Sequence, residues 1–171
     1  MLNFLKKKQL ESARKKNARK TEFLNYDSIN KILIIFNIET WPDIQNVVEL
    51  LLRDKKEIFL WTVRSRDKAS IPIPKKIRVI DHAKDIKWNQ SLNPPVIEEF
   101  EQVDYDTFID LTVRSESILE HLLAINKSKF CIGIRGDLTK TKNYDFILHQ
   151  KEEESLFSTF EQMKIYLNKI K

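Results

Sequence analysis

A single three-layer α/β domain with a mainly parallel sheet of five or six strands, preceded by a basic helical arm, is the fold class this chain predicts. Three observations carry it. Residues 107–134 read as apolar strand, amphipathic helix and apolar strand, a crossover unit that makes its two strands parallel neighbours. Residues 31–63 repeat the same strand, helix, strand order. At 171 residues the chain suits one domain that buries about two thirds of its unfolded surface, and it is too short for two ordinary domains.

Residues 1–22 read as an exposed, detachable polar and basic helix or arm ahead of the domain at 28–171, because Leu2, Leu5, Leu10 and Ala13 are too sparse for a strong apolar stripe. Residues 31–37, Lys-Ile-Leu-Ile-Ile-Phe-Asn, form an apolar run suited to a central strand covered on both faces. Thr40 is placed to cap the next helix and Pro42 suits its first turn; Ile44, Val47, Val48, Leu51 and Leu52 supply its apolar face, which stops near Asp54. The second strand spans 57–63. A basic loop follows over 64–76, kept extended by Pro72 and Pro74, and then a short strand over 77–80.

Asn93-Pro94-Pro95 marks a turn before a helix over about 96–103. In the crossover unit Phe108, Ile109 and Leu111 are interrupted only by Asp110. Ser115 is a candidate N-cap for the helix of Ile118, Leu119, Leu122, Leu123 and Ile125, and Asn126 suits the left-handed geometry of a helix end. Residues 144–148 read as a sixth, edge strand. A closing helix over 152–170 has Glu152, Glu153 and Glu154 at its start and Lys169 and Lys171 at its end, in keeping with the helix dipole.

Charge is segregated along the chain. The formal net charge is +5, yet residues 1–20 hold eight cations against Glu11 alone, a net of +7, which leaves −2 for the rest. The cations are Lys6, Lys7, Lys8, Arg14, Lys15, Lys16, Arg19 and Lys20, clustered so that a helix or flexible arm could track phosphates. A solvated charge run is the bland reading of such a segment. The segregation points instead to a polyanion, RNA or a ribonucleoprotein in preference to an acidic membrane surface, for which Leu2, Phe4 and Leu5 offer too little apolar area.

Other classes are excluded by what the chain lacks. One cysteine, Cys131, rules out a disulfide framework and a Cys-rich metal site, and fits a reducing, cytoplasmic setting. No signal-peptide pattern and no window of about twenty apolar residues is present. The first strand-to-helix turn, residues 37–42, has no glycine and carries Glu39, so neither a dinucleotide fingerprint nor a P-loop exists and no nucleotide cofactor is expected. His82, His121 and His149 fall in different elements without metal-ligand spacing, so no metal is expected. Ser115 and Ser117 stand in no nucleophile-elbow context, and no catalytic residue is assigned.

Asp110 is the one charge that reads as buried, near the carboxyl end of a central strand, where open α/β sheets bind their ligands. With Asn37, Arg64, Thr112, Arg114 and Ser115 it would form a rim able to hold a polar or phosphorylated metabolite. The structural alternative is that Asp110 accepts hydrogen bonds from loop amides or pairs with Arg114. Trp61 reads as core, and Trp88, among Lys84, Lys87 and Asn89, reads either as an anchor pinning a long loop or as a base-stacking surface.

The lysine-rich start, Lys87-Trp88-Asn89 followed by Pro94, Phe108-Ile109-Asp110-Leu111, Ser128-Lys129-Phe130-Cys131-Ile132-Gly133, Tyr144-Asp145-Phe146-Ile147-Leu148 and the final Phe160-Glu161-Gln162 to Tyr166-Leu167 helix resemble a family of small bacterial α/β proteins of unknown function. That resemblance covers most of the chain and implies no activity. Ile109-Asp110-Leu111 with Ile132-Gly133 also looks like the N-terminal half of heptosyltransferase-type glycosyltransferases. This second resemblance implies a strand order 3-2-1-4-5-6, without the second domain that binds nucleotide-sugar. The reading is therefore a non-enzymatic binding or adaptor protein, with a small enzyme acting at the sheet rim as the alternative.

Overall fold

Six strands, all parallel, lie in the order β3-β2-β1-β4-β5-β6: β1 Lys31–Asn37, β2 Glu57–Arg64, β3 Ile77–Asp81, β4 Thr107–Asp110, β5 Phe130–Arg135 and β6 Phe146–His149. The computed structural model describes residues 2–64, 72–113, 117–135 and 143–171. Its helices are α1 Leu2–Lys16, α2 Trp41–Arg53, α3 Pro94–Gln102, α4 Ser117–Ile125 and α5 Leu156–Leu167. The three-layer α/β architecture and the strand order agree with the sequence reading.

Alternation along β1 explains why both faces are covered. Ile32, Ile34 and Phe36 join a core cluster with Ile44, Val47 and Leu51 of α2 and Phe160 and Met163 of α5. Leu33 and Ile35 point the other way, into a cluster with Val96 and Phe100 of α3 and Ile118, Leu119 and Leu122 of α4. Each such aliphatic side chain contributes about 1.5–3 kcal/mol on burial, so the two layers form the bulk of the stabilising surface. Trp61 belongs to the second cluster, edge-to-face with Phe100 at 5.4 Å.

Boundaries shift for local reasons. Helix α3 starts at Pro94, since two prolines occupy its first two positions, where the absent N–H groups cost nothing. Helix α5 begins only at Leu156: Ser155 is its N-cap, accepting from Ser158 N at 3.1 Å, and Glu152–Glu154 precede the helix rather than opening it. Thr40 does not cap α2 with its side chain; residues Ile38–Thr40 form a 3₁₀ turn, and Thr40 Oγ1 donates to the Asn37 carbonyl at 2.8 Å. At the other end of α2, Lys55 N donates to Leu52 O and Lys56 N to Leu51 O, both at 3.0 Å, a Schellman ending with Lys55 in the left-handed region at φ 59°. Asn126 is not left-handed. It is buried, and its Oδ1 accepts from Ser128 N at 2.9 Å and Tyr105 Oη at 3.2 Å.

At the amino edge of the sheet Tyr26 joins α2 to α5. Its Oη donates to Asp54 Oδ2 at 2.7 Å, Lys164 Nζ meets the same oxygen at 2.5 Å, and the ammonium groups of Lys56 and Lys164 each lie 4.7 Å from the ring centroid. The hydrogen bond from Lys164, then that from Tyr26, holds the Asp54 carboxyl below the usual carboxylate range. Burial first, and Asp54 second, push the Tyr26 hydroxyl far above its ordinary value.

Candidate functional site

The order reverses between β1 and β4, so the crevice at their carboxyl ends is where an open α/β sheet would bind a ligand. Here that crevice is stitched across. Asn37 ends β1 with its side chain buried, and its Oδ1 accepts from Val113 N, beyond β4, at 2.9 Å. Leu111 N donates to Ile35 O at 2.9 Å and extends the ladder one residue past β4. Trp41 opens α2 and stacks on Phe36 with ring centroids 5.8 Å apart.

Asp110 is fully buried in this stitch. Its Oδ1 accepts from Thr112 N at 2.9 Å and Thr112 Oγ1 at 2.8 Å, and its Oδ2 accepts from Tyr144 Oη at 2.5 Å. The turn drawn by Thr112 ends β4 at Asp110. Gly133 of β5 is in register with Asp110, and a Cβ there would lie 2.9 Å from Tyr144 Cδ1. The absent side chain thus makes the slot through which the Tyr144 ring crosses β5 to reach Asp110.

Of the six rim residues, Asn37, Asp110 and Thr112 are brought together, all buried. Arg64 is half-buried at the end of β2, and Arg114 and Ser115 lie outside the described residues. Tyr144 is the member that sequence reasoning missed. A glycine inside a strand, Gly133, was its available signal, since such a residue marks a close approach. Chemically this arrangement ties loops together: among the described residues the buried carboxylate accepts from Thr112 N, Thr112 Oγ1 and Tyr144 Oη.

The basic segment departs from the sequence reading in one respect. Where the sequence suggests an exposed, detachable arm, the segment packs on the domain. Helix α1 packs on α4 with Leu10 buried, and Asn17 Nδ2 donates to the carbonyls of Ala124 at 3.1 Å and Asn126 at 2.6 Å, covering the carboxyl end of α4. Arg19 forks onto Asp145, Nη2 lying 2.8 Å from Oδ1 and 2.9 Å from Oδ2, while Nη1 donates to Ser128 O at 3.1 Å. Glu22 N then donates to Lys129 O at 2.9 Å, and Phe23 packs against Phe130 with centroids 5.6 Å apart. Arg19, grouped from the sequence with the polyanion-facing cations, is therefore committed to the fold.

The other cations are differently placed. Lys7, Lys8, Arg14, Lys15, Lys16 and Lys20 are exposed and have no carboxylate partner among the described residues; the side chain of Lys6 lies outside them. On a helix whose Leu10 faces inward, Lys8 and Lys15 share the outward stripe about 10 Å apart, and Lys7 and Arg14 run parallel to them on one flank. Arg14, Lys15 and Lys16 in the last turn also suit the dipole of α1.

Burial pushes the Cys131 thiol up to about 12, away from nucleophilic thiolate. Among the described residues no group of His, Cys, Asp and Glu is arranged to hold a metal ion, and no helix is long and apolar enough to cross a membrane.

The chain belongs to a family described as a family of unknown function (DUF6913), whose profile matches residues 3–170. No curated protein and no solved structure matches it. The glycosyltransferase resemblance is thus not shown by any relative, and the shared strand order carries no activity with it.

Proposed function

We propose that this member of the family is a non-enzymatic binding or adaptor module, in a cytoplasmic setting, whose basic helix α1 meets a polyanion: RNA or a ribonucleoprotein. The observation that carries this reading is that α1 is docked by Leu10, Asn17 and Arg19 while Lys7, Lys8, Arg14, Lys15 and Lys16 stay exposed without carboxylate partners among the described residues. Docking orders the cations before any partner arrives, which lowers the entropy lost on binding compared with a loose tail. The remainder of the chain is net negative, which concentrates the attraction on this one helix. Buried Asp110 accepting from Thr112, and buried Asn37 accepting from Val113 N, support a structural role for these rim residues rather than a metabolite site.

The test is fluorescence anisotropy of the full chain with labelled RNA across a salt titration. If four cations meet phosphates, log affinity falls with log salt with a slope of about −3, at about −0.7 per contact. Replacing Lys8, Arg14, Lys15 and Lys16 with Gln flattens that slope and leaves the melting temperature in place. Salt-independent binding, or equal binding by the quadruple variant, would overturn the reading.

A further inference from the structure

Trp88 is the most exposed large apolar side chain in the described protein, at 85%. It does not pin its loop. Ile86 and Leu92 do, bridging each other in antiparallel fashion and packing into the cluster shared with α3 and α4. Between them the chain makes a tight, heavily bonded turn. Lys87 N donates to Ser91 O at 2.8 Å, Gln90 N to Lys87 O at 2.9 Å, and Asn89 Oδ1 accepts from Ser91 Oγ at 2.7 Å and Ser91 N at 3.2 Å. Gln90 takes the left-handed conformation at φ 63°, and Asn93 closes the base of the turn by donating from N to Asp85 O at 2.8 Å and from Nδ2 to Lys84 O at 2.5 Å. An indole is thus held out into water on a backbone with little freedom to fold it back.

Its surroundings select the partner's charge. Lys84 and Lys87, four and one positions before it in the chain, are exposed and have no carboxylate partner among the described residues. The nearby acids are engaged: Asp85 accepts from Arg78 Nη1 at 3.1 Å and from Asp81 N at 2.9 Å, and Asp81 Oδ1 accepts from Ala83 N at 2.8 Å. An exposed aromatic face in a turn that also carries two exposed lysines is complementary to an unstacked base flanked by phosphates.

We infer that the Trp88 turn is a second contact for single-stranded RNA, with the indole stacking on a base and Lys84 and Lys87 meeting the adjoining phosphates. This deepens, and rests on, the proposed binding of RNA by α1. Both contacts lie on one side of the sheet, because Ile86 and Leu92 share a cluster with residues of α4, the helix on which α1 packs. Strand β3, which leads into the turn, and β5, which follows α4, are four strand positions apart, about 19 Å at about 4.8 Å per strand. A strand within the usual site size of about 4–16 nucleotides could cover such a span. A membrane is disfavoured because Asn89, Gln90 and Ser91 leave one indole as the only apolar group of the turn.

The experiment uses the full chain and four probes: a short single-stranded RNA, an abasic strand of equal length, heparin, and phosphatidylserine vesicles. Trp88→Ala is expected to weaken RNA binding about five- to a hundredfold while leaving the salt slope, the abasic strand, heparin and the melting temperature unchanged. Trp88→Phe should restore part of the affinity, and RNA should quench the solvent-exposed tryptophan emission of the wild type but not of Trp88→Ala. Equal RNA binding by wild type and Trp88→Ala, with the slope intact, overturns this contact and leaves the α1 reading standing. Binding that depends on Trp88 but not on the α1 cations overturns the α1 reading and keeps this contact. An indole that responds to vesicles and not to RNA overturns this contact alone, and failure of the wild type to bind RNA overturns both.

Discussion

Replacing Arg19 with Gln tests whether the basic helix is part of the fold. The guanidinium makes two short bonds to Asp145, at 2.8 and 2.9 Å, and one to the Ser128 carbonyl, with only 16% of the Arg19 side chain and 12% of the Asp145 side chain exposed. Asp145 Oδ2 also accepts from Cys131 N at 2.8 Å, so the carboxylate is seated between β5 and β6 and cannot follow a departing partner into water. Exposed ion pairs contribute about 0–1 kcal/mol, and breaking fully buried ones costs about 3–5 kcal/mol. The partial burial here places Arg19→Gln at about 2–3 kcal/mol. For a chain of this length that lowers the melting temperature by roughly 4–12 °C. Urea denaturation followed by circular dichroism would measure it. Asp145→Asn keeps an acceptor for Cys131 N, so the double variant should be more stable than the sum of the two single losses implies, by about 1 kcal/mol or more. A loss below about 0.5 kcal/mol for Arg19→Gln, within the range of ordinary surface substitutions, would refute the docking of this segment and return it to a detached arm.

Three further outcomes follow from single features. Gly133→Ala sets a methyl 2.9 Å from the Tyr144 ring and should cost about 1–3 kcal/mol in chemical denaturation, whereas a neutral result would place that ring elsewhere. Lys55→Gly relieves a left-handed backbone at φ 59° and should stabilise by about 1 kcal/mol; a loss of stability would mean that the helix ending is misassigned. Asp54 has a folded-state pKa below its ordinary 3.8, so its contribution is present above that value and is lost as pH falls through the lower folded one. Asp54→Asn should therefore be less stable than wild type at about pH 5, with the gap narrowing as the pH falls below 3.8; a constant gap on acidification would refute the Lys164 and Tyr26 pairing.

Periodicity reported the layers well because it records which faces are covered. The alternation of β1 and the stripe of Ile44, Val47 and Leu51 on α2 follow from local geometry alone, and both survive in the folded protein. Boundaries were read less well. The ending of β4 depends on Asp110 accepting from Thr112, and that of α2 on Lys55 adopting a conformation usually left to glycine. The rim was legible as a set of polar residues near one edge with Asp110 as its buried charge, and the burial of Asn37 and Thr112 beside it was not. One partner of Asp110, Tyr144, lies 34 residues away along the chain.

By itself the sequence determined the α/β class, the parallel crossovers, the segregation of charge into the first twenty residues and the lack of a glycine-rich phosphate turn, because each of these is set by residues close together in the chain. Only the tertiary structure decided which cations are spent and which are offered. Arg19 and Lys20 are adjacent in sequence and equal in charge, yet one is locked onto Asp145, 126 positions away, and the other is exposed. It also decided that Trp88 stands out in solvent while Ile86 and Leu92 hold its loop. Such contacts join residues far apart in the chain, and their geometry is fixed only when the layers close on one another.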